Sequence, residues 1–172
     1  GHHRRQRQMC IRDSLNASER KFNLGKIATK TEIAGWDIDV RPDGIGAPIG
    51  SGNAIDGEEI YAEQCASCHG DFGEGLDRWP ELVGGEDSLD THDPVKTTGS
   101  YWPYASTMYD YIYRAMPFGV AQSLTHDETY RVVAYLLYMN EIIEEDFVLN
   151  DKNIGKIKMP NVEGFLIPCL LY

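Results

Sequence analysis

The stretch Cys65-Ala66-Ser67-Cys68-His69 decides the interpretation of this sequence, because it places two thiols and an imidazole within five residues. The pattern C-x-x-C-H is typical of covalent c-type haem attachment. Two thiols three positions apart at the end of a helix can reach the two vinyl carbons on one edge of a haem. The next residue then turns its imidazole toward the iron. The stretch therefore predicts one covalent haem c, attached through Cys65 and Cys68, with His69 as an iron ligand.

Two other kinds of site share this spacing, a zinc site and a redox-active dithiol. Zinc would need a further ligand, and outside the chain ends the sequence offers His92 and His126 but no second cysteine pair. A thioredoxin-like dithiol would need a strand before the motif and a β-α-β context, which the sequence does not indicate. The surrounding residues favour haem attachment over both alternatives.

Met116 is the predicted second axial ligand of the iron. It follows a helical pattern and is stopped by Pro117 in a tight loop before the last predicted helix. Met108 and Met139 fall inside helical patterns and are expected in the core, whereas Met159 is the alternative ligand because it also precedes a proline. A soft thioether sulfur favours ferrous iron, so methionine ligation would raise the reduction potential.

Further candidates for contact with the cofactor are aromatic, basic and apolar. Trp102 or Tyr104, with Arg78 or Arg114, could donate hydrogen bonds to haem propionates, which need partners when they are partly buried. Leu82 is a candidate wall of the haem crevice. The alternative is that the aromatic residues and the leucine only pack the core of a small domain.

Length, hydropathy and charge exclude several classes of protein. A chain of 172 residues suits one domain with appendages. No run approaches the roughly 18 consecutive apolar residues that a membrane-spanning helix needs. Sixteen basic and 27 acidic residues give a net charge of −11, which argues against binding to nucleic acid because like charges repel.

Both ends of the chain are interpreted as foreign to the protein. Residues 1–14 have no apolar segment of the signal-peptide kind and resemble translated sequencing-adapter DNA, and residues 167–172 resemble the opposite adapter. Removal of the four arginines and one aspartate in residues 1–14 leaves 12 basic and 26 acidic residues, a net charge of −14. On this interpretation the natural start, with any export signal, is not captured in the sequence.

The helical patterns lie in the middle of the chain. A first helix is predicted from near Asp56 and is expected to carry both cysteines on one face, because acidic residues in a first turn favour a helix start. A second helical pattern ends at Pro117. The last helix is predicted from Thr125 to about Ile143, with Thr125 and Glu128 as a capping box. Its centre is apolar nearly all round, so it should be covered on more than one side.

These patterns divide the chain into a central domain with two arms. Residues 15–55 are rich in glycine and proline and are predicted to form an extended N-terminal arm. Residues 56–143 are the predicted haem domain, and residues 144–166 are a second, C-terminal arm.

The order of helix, C-x-x-C-H, long loop, helix, Met-Pro and capped final helix resembles class I cytochrome c over residues 56–143. In that family the first and last helices cross, so Gly57 and Tyr61 would meet the last helix. Four flanking or internal stretches are similar to the SoxD-type cytochrome subunit of sulfur (sulfane) dehydrogenase and to related sulfite dehydrogenase cytochromes. These stretches are residues 35–44, 94–107, 114–119 and 144–149.

The resemblance implies an all-α class I cytochrome c fold with extended N- and C-terminal arms that wrap the haem domain. It also implies a periplasmic subunit that is not catalytic alone. Such a subunit passes single electrons from a molybdenum-containing dehydrogenase catalytic subunit to a downstream cytochrome acceptor. Some members of the group carry two haem domains, whereas this sequence has one C-x-x-C-H motif. The alternatives are a freely diffusing periplasmic electron shuttle and a haem enzyme or sensor with a labile sixth ligand.

Overall fold

A computed structural model describes residues 25–165 of the chain. The two ends interpreted as adapter-derived, residues 1–14 and 167–172, lie outside the described residues. The described residues fall into two units, one that contains residues 25–37 and one of Ile38–Phe165. In the first unit the described residues contain a short helix α1, Lys30–Ala34, which begins with a capping box between Thr29 and Glu32.

The second unit begins its helical part with α2, Ala54–Gln64, which is followed at once by the short helix α3, Ala66–His69. Helix α2 begins two residues before the predicted start at Asp56, because the side chain of Asn53 accepts a hydrogen bond from the backbone N–H of Asp56 at 2.9 Å. The predicted single helix is interrupted at Cys65, which has φ −122° and caps the end of α2. The first helix therefore does not carry both cysteines as predicted, since Cys65 caps it and Cys68 lies on α3, although both side chains do lie on the same side as Tyr61.

Two longer helices complete the helical part, α4 at Ala105–Ala115 and α5 at His126–Met139. The predicted capping box at the start of α5 is confirmed, since the side chains of Thr125 and Glu128 each accept from the other's backbone N–H. The helix ends before the predicted Ile143. Asn140 ends it, and its side-chain Nδ2 donates to the carbonyl of Leu136 at 2.8 Å.

Helix α5 is the centre of the core and contacts α2, α4 and the first strand. Six consecutive residues, Val132 to Leu137, are all buried, which confirms that this helix is covered on several sides. It packs closely against α2 at Gly57, where an added Cβ would lie 2.0 Å from the carbonyl oxygen of Arg131. Nearby, the rings of Tyr61 and Tyr135 pack with centroids 5.2 Å apart.

The segments before α2 and after α5 meet in a small antiparallel sheet that the sequence did not predict. Strand β1, Ser51–Gly52, pairs with β2, Leu149–Asn150. Two 3-10 helices follow, at Ile154–Lys156 and Val162–Gly164. Among the described residues, none of the helices combines the length and apolarity that a bilayer crossing needs.

Candidate cofactor-binding site

A cavity of about 400 Å³ opens between α2, α3, α4 and α5, and its lining is mainly apolar. That volume lies in the range of small-molecule and cofactor sites. Seven of the nine residues predicted to bind or contact the cofactor line it. They are Cys65, Cys68, His69, Arg78, Leu82, Trp102 and Met116.

Tyr104 and Arg114 are the predicted contacts that the structure places elsewhere. Tyr104 is the N-cap residue of α4 and does not line the cavity. Arg114, in the last turn of the same helix, has its Nε 3.8 Å from a carboxylate oxygen of Asp110 and does not line the cavity either.

The two thiols lie at the junction of α2 and α3. Cys65 and Cys68 are free and partly buried, and the backbone N–H groups of Cys68 and His69 both donate to the carbonyl of Cys65 at 3.0 Å. Burial, with a smaller contribution from Cys68, raises the pKa of the Cys65 thiol to about 11. This thiol is therefore protonated at neutral pH, and both thiols are held by one helical turn at the edge of the cavity.

The His69 imidazole is oriented by the loop that follows it. Its Nδ1 lies 3.4 Å from the carbonyl oxygen of Pro80. When Nδ1 carries the ring proton it donates to that carbonyl, and Nε2 is then left as the nitrogen that can ligate a metal. The buried hydroxyl of Tyr61 donates to the carbonyl of Gly70 at 2.9 Å, which fixes the backbone just after the histidine.

Two methionines line this cavity, Met108 on α4 and Met116 directly after that helix. Met116 caps the end of α4 in an extended conformation, and its N–H donates to the carbonyl of Ile112 at 2.9 Å. Met108 also lines the cavity, although it is 1% exposed and belongs to the predicted core. Met159, the alternative ligand, is fully buried in another part of the unit and does not line the cavity.

Two cationic side chains line the cavity, and only Arg78 was predicted from the sequence. The guanidinium of Arg78 lies 4.7 Å from the ring centroid of Trp79. The ammonium of Lys96, which was missed, lies 5.2 Å from the ring centroid of Tyr101. Both could approach an anionic group of a bound cofactor. Position in the sequence gave no signal for Lys96, since only the folded loop brings it to the cavity.

Other residues of the lining were also missed. Thr97 and Thr98 bring hydroxyl groups, and the aromatic rings of Trp79 and Phe118 pack edge to face at 5.3 Å. The Trp79 ring lies 6.3 Å from His69. The aromatic-rich composition of the chain indicated such contacts in general, but not which rings would meet.

The donors present fit a covalently bound haem. Two thiols, an imidazole with an oriented ring and a thioether all border one apolar cavity, and cations and hydroxyls are available beside it. In contrast, residues 25–165 hold no group of three or more His, Cys, Asp or Glu side chains placed to bind a metal ion. The zinc alternative therefore finds no ligand set in the described part of the chain.

Comparisons with known proteins agree with this chemistry. Residues 52–136 match the family described as cytochrome c oxidase, cbb3-type, subunit III. Two proteins named thiosulfate dehydrogenase are similar, one from Stutzerimonas stutzeri at 28% identity and one from Psychrobacter arcticus at 25%. These alignments cover 75% and 76% of this chain, and the chain spans 44% and 42% of the two relatives' lengths.

A solved structure is more similar still. The sulfane dehydrogenase SoxCD from Paracoccus pantotrophus matches with a TM-score of 0.80 and 54% sequence identity, covering 85% of this chain and 72% of that one. Such identity over most of both chains shows common family membership as well as a common cytochrome c fold. The chain thus belongs to the family of SoxD-type c cytochromes.

Proposed function

We propose that this chain is the electron-transfer subunit of a sulfur-oxidising dehydrogenase in the periplasm. It accepts single electrons from a molybdenum-containing catalytic subunit and passes them to a downstream cytochrome. The observation that carries the proposal is the cavity bordered by Cys65, Cys68, His69 and Met116. Likeness to a sulfane dehydrogenase and to two proteins named thiosulfate dehydrogenase supports the sulfur substrate class.

Each residue has a distinct part in this proposal. One haem c, when bound, supplies an iron that changes between the ferric and ferrous states. Cys65 and Cys68 would hold the group covalently through their sulfur atoms, and His69 and Met116 would ligate its iron. Leu82 and the apolar residues of α4 and α5 keep water away. Arg78 and Trp102, together with Lys96, line the cavity and would offer hydrogen-bond donors to the propionates of the bound group.

The segments on either side of the helical part act as arms that pack against the haem domain. The backbone N–H of Val40 donates to Asp110 on α4 at 3.0 Å, and Tyr130 on α5 donates to the carbonyl of Pro48 at 2.8 Å. On the C-terminal side, Asn161 donates to the carbonyl of Tyr101 at 2.8 Å. These contacts support the predicted class I core with two arms and leave the outer faces of the arms for the catalytic partner.

The test uses protein made in a host that attaches haem c. Intact-mass analysis is expected to show haem bound to a chain whose two thiols no longer alkylate. Met116→Ala is expected to lower the reduction potential and to let carbon monoxide bind the reduced protein, because a thioether ligand is lost. Met159→Ala is the matched control and leaves both properties unchanged. Colourless protein with free thiols, or a Met116→Ala variant like the wild type, would contradict the proposal.

A second candidate function follows from the two relatives named thiosulfate dehydrogenase. In this alternative the haem protein oxidises a sulfur compound itself. Thiosulfate mixed with the oxidised wild-type holoprotein separates the two functions. An electron-transfer subunit stays oxidised until a molybdenum-containing subunit is added, whereas rapid reduction by thiosulfate alone would favour the enzyme. Co-purification of a molybdenum-containing subunit would in turn exclude a free electron shuttle.

A further inference from the structure

Asn140, the residue that ends α5, forms hydrogen bonds through both the nitrogen and the oxygen of its side-chain amide. These bonds join the helix to the loop at residues 82–84. Nδ2 donates to the carbonyl of Leu136 at 2.8 Å and to the carbonyl of Leu82 at 3.1 Å. Oδ1 accepts from the backbone N–H of Gly84 at 3.3 Å. Asn140 is 7% exposed, so water cannot easily replace these bonds, and leaving buried polar groups without partners is costly.

The same loop is held from the other side by two threonines. The hydroxyl of Thr98 donates to the carbonyl of Leu82, and that of Thr97 donates to the carbonyl of Gly84, both at 2.7 Å. A Cβ added to Gly99 would lie 2.3 Å from Oδ1 of Asn140, so this turn packs directly on the amide. The loop is thus fixed between the end of α5 and residues 97–99.

The loop that contains Leu82 borders the cofactor cavity and also contains Pro80, whose carbonyl faces the His69 ring. Leu82, Thr97 and Thr98 line the cavity. Two residues before Leu82, the carbonyl of Pro80 faces Nδ1 of His69 at 3.4 Å. A contact at that distance is near the limit of a hydrogen bond and weakens steeply if the loop moves. Any residue that fixes Leu82 therefore controls how well Pro80 orients the imidazole.

We propose that Asn140 is a positioning residue for electron transfer. By fixing the loop at Leu82, it holds the Pro80 carbonyl within hydrogen-bond distance of Nδ1 of the His69 ring. The inference rests on the proposed function, because it gives His69 the role of an iron ligand. A hydrogen bond on the outer nitrogen of a ligating imidazole fixes the ring and raises its basicity, and that in turn tunes the metal. Asn140 acts on the metal through this bond and touches neither the ring nor the cavity.

The test compares Asn140→Ala with Asn153→Ala in the holoprotein. Asn153 is a matched control because its side chain also clamps a loop, accepting from the N–H of Asn150 at 2.7 Å and donating to the carbonyl of Val148 at 2.9 Å. That loop does not line the cavity. Both variants are expected to unfold at lower denaturant concentration, so stability alone does not separate a structural role from positioning.

The discriminating measurement is hydrogen exchange of the His69 ring N–H, followed by NMR in the reduced protein. Asn140→Ala is expected to accelerate this exchange about tenfold, as the weakening of one hydrogen bond would, and to shift the midpoint reduction potential. Asn153→Ala leaves both unchanged. Equal exchange rates and potentials in the two variants would overturn the role of Asn140.

A second variant keeps the idea testable if Asn140→Ala fails to fold. Thr98→Val preserves shape but removes the other donor to the Leu82 carbonyl, so it should also accelerate exchange of the His69 ring N–H. If Thr98→Val leaves that exchange at the wild-type rate, the loop does not position the imidazole and the inference is wrong. Wild-type protein without haem would instead refute the proposed function, so the two failures are distinguishable.

Discussion

At the scale of single residues, three fully buried tyrosines show how burial in the core raises the pKa of a phenol. Tyr61 and Tyr130 donate to backbone carbonyls, and the hydroxyl of Tyr109 lies 3.0 Å from Nδ1 of His126. Burial is the largest cause that raises the pKa of each phenol, and nearby carboxylates such as Asp127 add to it for Tyr109 and Tyr130. The folded protein therefore requires these phenols to stay neutral.

Tyr130→Phe tests this requirement. Because the folded-state pKa is raised, the neutral phenol contributes stability below the unfolded value of about 10, and the contribution is lost as the pH rises above that value. The variant is expected to lose about 1 kcal/mol at pH 7 with the hydrogen bond to Pro48, but to weaken less steeply than the wild type above about pH 10. Denaturant unfolding from pH 7 to 11 measures both effects.

Tyr138→Phe is the control for Tyr130→Phe, because its side chain is 38% exposed. Parallel stability curves for Tyr130→Phe and the wild type above about pH 10 would show that Tyr130 ionises as easily in the folded protein as in the unfolded chain.

Four of the site residues that the sequence predicted have a local signature. Cys65, Cys68 and His69 share one pentapeptide, and Met116 has a proline beside it and a helix before it. Asn140 had no such signature, because its partners Leu82 and Gly84 come from a loop far away in the chain. Only the packed structure brings such groups together.

At the scale of elements, the close contact of α2 with α5 depends on the lack of a side chain at Gly57. An added Cβ would lie 2.0 Å from the carbonyl oxygen of Arg131 and 2.9 Å from Cβ of Tyr135. Neither atom belongs to the end of a flexible side chain, so the helices would have to move apart. The resemblance implied that Gly57 and Tyr61 meet the last helix, and the structure gives the physical reason for that close contact.

Gly57→Ala is therefore expected to destabilise the protein by about 2 kcal/mol, although alanine normally favours a helix. Gly35→Ala is the matched control, since an added Cβ there meets only ordinary contacts at 3.7 and 3.8 Å. Thermal and denaturant unfolding of the two variants measure the difference. If Gly57→Ala were as stable as the control, α2 and α5 would not be in close contact at this position.

Helix caps were easier to predict than breaks and short strands. Thr125 and Glu128 form a sequence pattern with a direct hydrogen-bonding meaning, and it marked the start of α5 correctly. The break at Cys65 carries no such pattern. Strands β1 and β2 have two residues each, too few to show the alternation by which strands are recognised.

At the scale of the whole molecule, the surface carries a strong negative charge. The net charge is −11, and within residues 25–165 three ion pairs join acidic and basic side chains. The excess of carboxylates therefore has no basic partner and produces a field that attracts cationic surfaces over a distance set by the salt concentration.

Electron transfer to a basic protein acceptor is accordingly expected to slow as salt is added. Between 10 and 300 mM salt, stopped-flow rates of the reduced holoprotein should fall by about tenfold or more, because steering is screened. An acidic acceptor of similar potential is the control and should show the opposite trend. A rate independent of ionic strength with both acceptors would mean that the negative surface does not guide the encounter.

The pairing of β1 with β2 places the chain on entry to the helical part directly beside the chain on exit from it. A module whose two ends are adjacent can be inserted into a surface loop of an unrelated protein without stretching the host. A graft made at this pair of strands would carry the whole cavity lining, but it would also have to keep or replace the core contacts of Val40, Ile154 and Met159, which lie outside residues 51–150.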